Sequence, residues 1–365
     1  MSSPRRPIGV GIVGLSAHGG WAAAGHLPAL TAVEGIELRA LATSSPSSAR
    51  AAAAVYGVPA YSSVEQIAAD ENVDLVVVAV KVPHHRKLVL PALKAGVPVL
   101  SEWPLAVDLP EAEELAGAAG ATPTFIGLQG RSSPTFRWLA DLVSEGYVGE
   151  VLSATVVASS TEWGTPVAPR GVYTLDRTLG ATMLTIAFAP AIDLVSMVVG
   201  ELRDVVATTA TRRRQVPLAT TGQLVPMTAE DQIAISGTTV DGAIVSAHHR
   251  GGAVSGAGFS MVIDGTHGRL EVTGAEFPHL GPVTVRGAQG RGRSTELVPP
   301  SSYDAHPGLA GTHLHTLAHA YAAIRDDLVH HTGIAPDFAH AVRRHRLLDA
   351  ISRSAATGRR TATGF

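Results

Sequence analysis

A chain of 365 residues, 45% hydrophobic and 16% charged, has the length of two domains and enough apolar material for large cores, which excludes a disordered tail. Its formal net charge of -3 supplies no field that would gather a phosphate polymer, so general nucleic-acid binding is not expected. With no cysteine there are no disulfides, thiolate nucleophiles or cysteine-held metals, which suits a reducing compartment.

The opening "MSSPRRPIGVGIVGLSA" places arginines before an apolar run, but glycines break that run almost at once. It reads as a first strand, not a secretory signal. No apolar segment reaches the roughly 18 residues of a membrane span, so a soluble, cytoplasmic protein without a membrane partner is expected.

From residue 7 to about 150, strand-like and helix-like segments alternate, the pattern of an α/β Rossmann domain with a doubly wound parallel sheet. "IGVGIVG" is strand one and "AAAGHLPALTAV" its helix; "GIELRALAT" is strand two and "SPSSARAAAAVYG" the next helix. "VDLVVVAV" is an uninterrupted β-branched run, as a strand covered on both faces requires. "HHRKLVLPALKAG", "VPVLSE", "LPEAEELAGAAGA" and "TPTFIGLQ" continue the alternation. Residues 1–150 are therefore read as a dinucleotide-binding domain. From Val151 the pattern becomes that of an α+β domain (151–365) with a large, mostly antiparallel open sheet, in "EVLSATVVAS", "DVVATTATR", "DQIAISGTTVDGAIVSAHHR" and "FSMVIDGTHGRLEVTG". One helical stretch, "GATMLTIAFAPAIDLVSMVVGEL", interrupts the strands, and the last helices (about 312–357) are expected to pack back on the first domain.

Gly9, Gly11 and Gly14 spell GxGxxG, but inside a strand, where no phosphate reaches. The useful frame is Gly14-Leu15-Ser16-Ala17-His18-Gly19 at the strand-to-helix turn, where free backbone N–H groups and the helix dipole suit a pyrophosphate. Ser16 replaces the glycine of closest approach and offers a hydroxyl instead. Strand two ends in Thr43, Ser44 and Ser45 with no carboxylate, followed by Arg50. This set tolerates a 2′-phosphate, favouring NADP over NAD; the plainer reading is that the hydroxyls cap the next helix.

Taken together, the Gly14 turn with "HLPAL", "VPHHRKLVLPALKAGVPVLSEWPLA", "GLQGRSSPTFRWLADLVSEGYVGEV", "IDGTHGRLEV" and "PDFAHAVRRHRLLDAI" resemble the Gfo/Idh/MocA oxidoreductases over nearly the whole chain. "GLSAHGGWAAAGHLPAL", "EWPLA", "LQGRSSP" and "GATMLTI" are similar to the branch that contains the fungal repressor of galactose genes. The resemblance implies the fold and a nicotinamide coenzyme. It implies no standard mechanism: the family's EKP lysine falls on Trp103, its aspartate and histidine on Thr185 and Ala189, and the branch's histidine on Pro190.

Carbonyl reduction needs a hydride donor and one acid near the oxygen. Tyr173 and Asp176 lie where the branch places residues facing the nicotinamide, so Tyr173 is the candidate acid; packing at the domain junction is the alternative. Arg131 follows a strand end and is either a ligand contact or a structural salt bridge. Glu102 is expected to cap the nicotinamide side of the cleft or hold a backbone amide, Trp103 to wall the nicotinamide pocket, and His85 to touch the cofactor or sit at a helix N-terminus. Of His248 and His249, on opposite faces of a strand, one is a candidate for the cleft. His315 and His319 have a chelating i, i+4 spacing but no third ligand, so no metal is expected. "TRRRQ" and the glycine-rich "RGGAVSGAG" and "RGAQGRGR" read as loops.

The leading expectation is an NADP-preferring oxidoreductase acting on a sugar-like or cyclic small-molecule carbonyl or alcohol, with an atypical proton donor. A cofactor-binding regulator without turnover, and an enzyme with no net redox change, are its rivals. A homodimer or higher homo-oligomer through the C-terminal sheet is expected.

Overall fold

The protein is described from a computed structural model covering residues 6–253 and 258–365; the start of the chain and positions 254–257 of the expected glycine-rich loop lie outside these. Along the chain run β1 (Ile8–Val13), a π-helical turn (Ala22–His26) with α1 (Leu27–Thr31), β2 (Ile36–Ala42), α2 (Pro46–Tyr56), β3 (Ala60–Tyr61), α3 (Val64–Ala68), β4 (Leu75–Val78), α4 (His85–Lys94), β5 (Val99–Ser101), α5 (Leu109–Ala118), β6 (Thr124–Ile126) and α6 (Pro134–Ser144). There follow β7 (Val151–Ser159), a π-helical turn (Met183–Phe188) with α7 (Ala189–Val199), β8 (Leu202–Ala210), β9 (Gln215–Pro217), β10 (Leu224–Pro226), β11 (Gln232–Thr239) and β12 (Ile244–Arg250). The chain finishes with β13 (Gly258–Gly265), β14 (Gly268–Gly274), β15 (Thr284–Gln289), β16 (Thr295–Leu297), α8 (Leu314–His330), α9 (Phe338–Thr357) and β17 (Thr361–Ala362).

Two compact units divide it. One holds the chain up to Ser132 with His306–Leu309 and His313–Val342; the other holds Ser133–Ala305, Ala310–Thr312 and Arg343–Phe365.

The first unit carries a six-stranded sheet in the order β3-β2-β1-β4-β5-β6, every neighbour parallel, which is the Rossmann order. All four residues of β4 are buried, as its β-branched run requires. Leu317, Ala318, Tyr321 and Ile324 of α8 join Val10, Ile12, Leu41 and Leu75 in one core. Gly9 and Gly11 serve packing: a Cβ on Gly11 would lie 2.7 Å from the Ile67 side chain, and one on Gly9 would collide with the Asn72 carbonyl.

In the second unit a nine-stranded sheet runs β16-β15-β14-β13-β7-β12-β11-β8-β17. Only the β7–β12 pair is parallel; the rest are antiparallel. α7 is apolar nearly all round and almost wholly buried. Arg344 of α9, with 0% of its surface exposed, donates to Ser196 Oγ and meets Glu201 and the buried Asp193. Apposed charges satisfy one another where neither is solvated, so removing one strands the other.

Candidate functional site

The loop after β1 carries the coenzyme candidates. Gly14 has φ +99°, and a Cβ there would lie 2.5 Å from the Ala79 carbonyl oxygen, so glycine is required by both torsion and the closeness of β4. Ser16 Oγ accepts the His18 amide at 3.1 Å, the Gly19 amide donates to the Ser16 carbonyl, and Tyr56 Oη donates to that same carbonyl at 2.8 Å. The loop is thus rigid on its protein side. On the other side Gly19 (φ +82°) and Gly20 (φ +122°) have no atom within 4 Å of the place a Cβ would take. Bare, open backbone at the start of a helical segment fits a diphosphate. Leu15 is 0% exposed and belongs to the core, so only its backbone is available to a ligand.

At the end of β2 the hydroxyl cluster divides its work. Ser45 is the N-cap of α2 in a capping box with Ser48, so the capping reading holds for it. Thr43 Oγ1 bonds Ser48 Oγ at 2.8 Å and sits half-buried beside that cap. Ser44 and Arg50 are exposed, and no carboxylate stands among them.

His85, expected near the cofactor, is 1% exposed. Its Nε2 lies 2.9 Å from the Val80 carbonyl, and its Nδ1 3.3 Å from Ser101 Oγ and 3.2 Å from the Leu105 carbonyl. Burial holds its pKa below the ordinary value, and both ring nitrogens face backbone carbonyls, with the Ser101 hydroxyl beside Nδ1. With both nitrogens engaged, His85 pins the strand ends and takes no ligand. Glu102 Oε1 lies 3.1 Å from Nε2 of the buried His26, off line for a hydrogen bond, so this oxygen faces an imidazole. His26 Nδ1 in turn bonds Tyr321 Oη at 2.7 Å. Neither His26 nor Tyr321 was singled out from sequence; the histidine of "HLPAL" was the one available sign. Trp103 is 8% exposed, which leaves little of its surface for a ligand, because burying so large an apolar ring is worth more than displaying it. Arg131 stands half-buried in the 3₁₀ turn Gln129–Ser132 that follows β6.

In the second unit Tyr173 is half-buried in the 3₁₀ segment Pro169–Leu175, its pKa raised by burial and then by the charge of Glu162. Asp176 is unsuited to donate a proton: the Thr178 amide (2.9 Å) and hydroxyl (2.8 Å) bond its carboxylate and hold its pKa below the usual range. Glu162 was missed. Partial desolvation by its neighbours raises its carboxyl pKa although the residue is exposed. Its only mark in the sequence is a lone acid in "SSTEWGTP".

Thr185, at the family's aspartate position, spends its hydroxyl on the Gly180 and Thr182 carbonyls. His248 is exposed, whereas His249 is 2% exposed between Phe188 and Phe277, its pKa lowered by burial to about 4. His249 is a core ring. On α8 the His315 and His319 rings stand 5.1 Å apart, and His306, not singled out from sequence, lies 5.0 Å from His319.

Residues 8–126 match the pattern of the oxidoreductase family with an NAD-binding Rossmann fold, and residues 134–274 that of the Gal80p C-terminal domain. The galactose/lactose metabolism regulatory protein GAL80 of Saccharomyces cerevisiae is 30% identical over 73% of this chain and 67% of its own length. Dehydrogenase aclE of Aspergillus oryzae is 35% identical over 48% of this chain, but the match spans only 50% of that protein. Among solved structures, a super-repressor mutant of S. cerevisiae Gal80p superposes with a TM-score of 0.86 at 23% identity, covering 98% of this chain and all of that one. Levoglucosan dehydrogenase in complex with NADH and levoglucosan gives 0.82 at 20%, covering 99% and 100%. At these identities the structural likeness is one of fold.

Proposed function

We propose, from the premise that this chain belongs to the Gfo/Idh/MocA oxidoreductase family and stands near its Gal80 branch, that it is a nicotinamide-dependent oxidoreductase acting on a small polyhydroxylated or cyclic carbonyl or alcohol. The observation that carries this reading is the Gly14–Gly20 loop, braced on one side and bare on the other. The loop amides would hold the diphosphate. Thr43, Ser44 and Arg50 would accept a 2′-phosphate, favouring NADP, since an anion there meets a cation and hydroxyls with no competing carboxylate. Bound there, the coenzyme supplies the hydride. Arg131, Glu102 and Trp103 are the remaining candidates around the ligand on the first unit.

The proton is the chain's own task. With tryptophan, threonine, alanine and proline at the usual positions, Tyr173 is the candidate donor: its raised pKa keeps Oη–H intact at neutral pH, while an alkoxide is still far more basic. Steady-state assay of NADPH oxidation against sugar lactones, ketoses and cyclic ketones tests this, with Tyr173→Phe expected to lower kcat by about 10²-fold at unchanged coenzyme affinity. An unchanged kcat overturns Tyr173 as donor.

A second reading, a coenzyme-binding regulator that never turns over, is favoured by one specific observation. Position 185 has lost its carboxylate, and its hydroxyl is spent on capping. Tight coenzyme binding with no turnover across that substrate panel would decide for it.

A further inference from the structure

We infer that His306, His315 and His319 form a binding site for one divalent transition-metal ion of the zinc class, separate from the coenzyme and from turnover. The i, i+4 pair is in place on one face of α8. Its ring centroids are 5.1 Å apart, and a ligand nitrogen of one lies within 4.8 Å of a ligand nitrogen of the other. The third donor, which the helix itself lacks, comes from the turn ahead of it: the His306 ring lies 5.0 Å from that of His319. With metal–nitrogen bonds of about 2.0–2.1 Å, imidazoles on one tetrahedral ion have centroids about 5 Å apart, so both spacings match shared coordination.

Edge-to-face packing, here at interplanar angles of 75° and 77°, also holds aromatic rings at this separation. It does so as well with phenyl rings, and without taking ring nitrogens out of water. Here every ring carries nitrogen, with His319 8% exposed and His306 and His315 half-buried at the rim of the core. Ring packing does not require nitrogen at all three positions; a shared Lewis acid does.

The donors are set by packing on both sides. Leu309 and Leu314 lie against the core of the first unit, and the 3₁₀ turn Pro307–Leu309 is closed by the Leu309 amide donating to the His306 carbonyl at 2.9 Å. Thr316, Leu317 and Ala318 are buried, which fixes the rotation of α8 and the direction of its two imidazoles. Rings held in place beforehand lose little freedom on taking up an ion.

Nitrogen donors select the ion. Imidazole suits zinc, copper and nickel, whereas calcium and magnesium take oxygen. The start of α8 argues the same way, since the positive end of a helix disfavours a weakly held cation. Three nitrogens leave a fourth place for water or a carboxylate, and Asp304 is the acid nearest to His306 in the chain.

The test uses the full chain, prepared without an affinity tag and stripped by chelator, with zinc(II) followed by calorimetry and cobalt(II) by visible absorption. One zinc ion per chain should bind, and cobalt should give the intense bands of a tetrahedral site, bleached by added zinc. His306→Asn and His315→Asn change half-buried side chains and leave the core intact. Each should weaken zinc by more than the about 10–100-fold that loss of an outer-shell partner costs. His248→Asn, at an exposed histidine on β12, should leave binding unchanged. Absence of zinc heat at millimolar metal, full retention of binding in both variants, or its loss in His248→Asn overturns the proposal. Neither readout involves coenzyme or turnover, so its failure is distinct from failure of the oxidoreductase reading.

Discussion

At the residue scale, several side chains found partners that the sequence did not indicate, for one recurring reason. Sequence spacing locates a backbone but not the partners a side chain finds in three dimensions. Gly14 and Gly19 were legible because a strand-to-helix turn after a β-branched run demands them. His85 was not, because the Val80 carbonyl and Ser101 hydroxyl that occupy it come from two other strand ends. Nor was the setting of Asp176, because Thr178, two residues on, holds its carboxylate. Thr43 carries a direct test. Thr43→Asp should lower affinity for NADP relative to NAD by about ten-fold, about 1.4 kcal/mol, through like-charge repulsion of the 2′-phosphate. Equal affinity changes for the two coenzymes, measured by fluorescence titration, would contradict the role given to the end of β2. Gly14→Ala is a second test. Forced contact with Ala79 and a positive φ should cost roughly 2–4 kcal/mol, read as a lower denaturation midpoint.

At the scale of elements, α8 is held to the phosphate-side helical segment by Tyr321 and His26, and through His26 to Glu102 after β5. Tyr321→Phe leaves His26 Nδ1 buried and without its partner, so a loss of about 1–3 kcal/mol is expected in chemical denaturation. No loss would mean that the imidazole finds another donor. This chain of three groups was invisible in sequence because its members lie at positions 26, 102 and 321. Alternation of the longer strands and helices, by contrast, was readable, since hydrophobic period and glycine stops are local, whereas the short β3 and α3 between α2 and β4 were not read. The helical stretch before α7 was read as one helix; it opens as a π-helical turn over Met183–Phe188, a hydrogen-bond register that apolar periodicity does not report.

At the scale of the whole molecule, acid sensitivity follows from three buried imidazoles in the second unit. Burial lowers His249 and His345 to about 4 and His279 to about 3. In the unfolded chain such rings titrate near 6.5, so below that pH the unfolded state binds protons that the folded state refuses. Stability should therefore be level above about pH 6.5 and fall as pH drops towards 4, His249 alone accounting for about 3 kcal/mol. His249→Leu should make the decline shallower; a decline of unchanged steepness would locate it elsewhere. The open face of the nine-stranded sheet, where Val157, Val206 and Ile244 are exposed on one side, is the proposed seat of a second copy. Val157→Glu with Val206→Glu should convert a dimer to monomer in light scattering, and an unchanged mass would move the interface off that face. Among the described residues no helix is long and apolar enough to cross a membrane.

The central claim is that the Gly14–Gly20 loop holds the diphosphate of a nicotinamide coenzyme, and isothermal calorimetry tests it most directly. The wild-type chain should bind NADP with a dissociation constant of about 1–100 μM and NAD more weakly, corresponding to roughly -5 to -8 kcal/mol. Ser16→Asp, which sets a carboxylate where the diphosphate would lie, should abolish both heats. Absence of any heat from the wild type at millimolar coenzyme, or undiminished binding by Ser16→Asp, would contradict it.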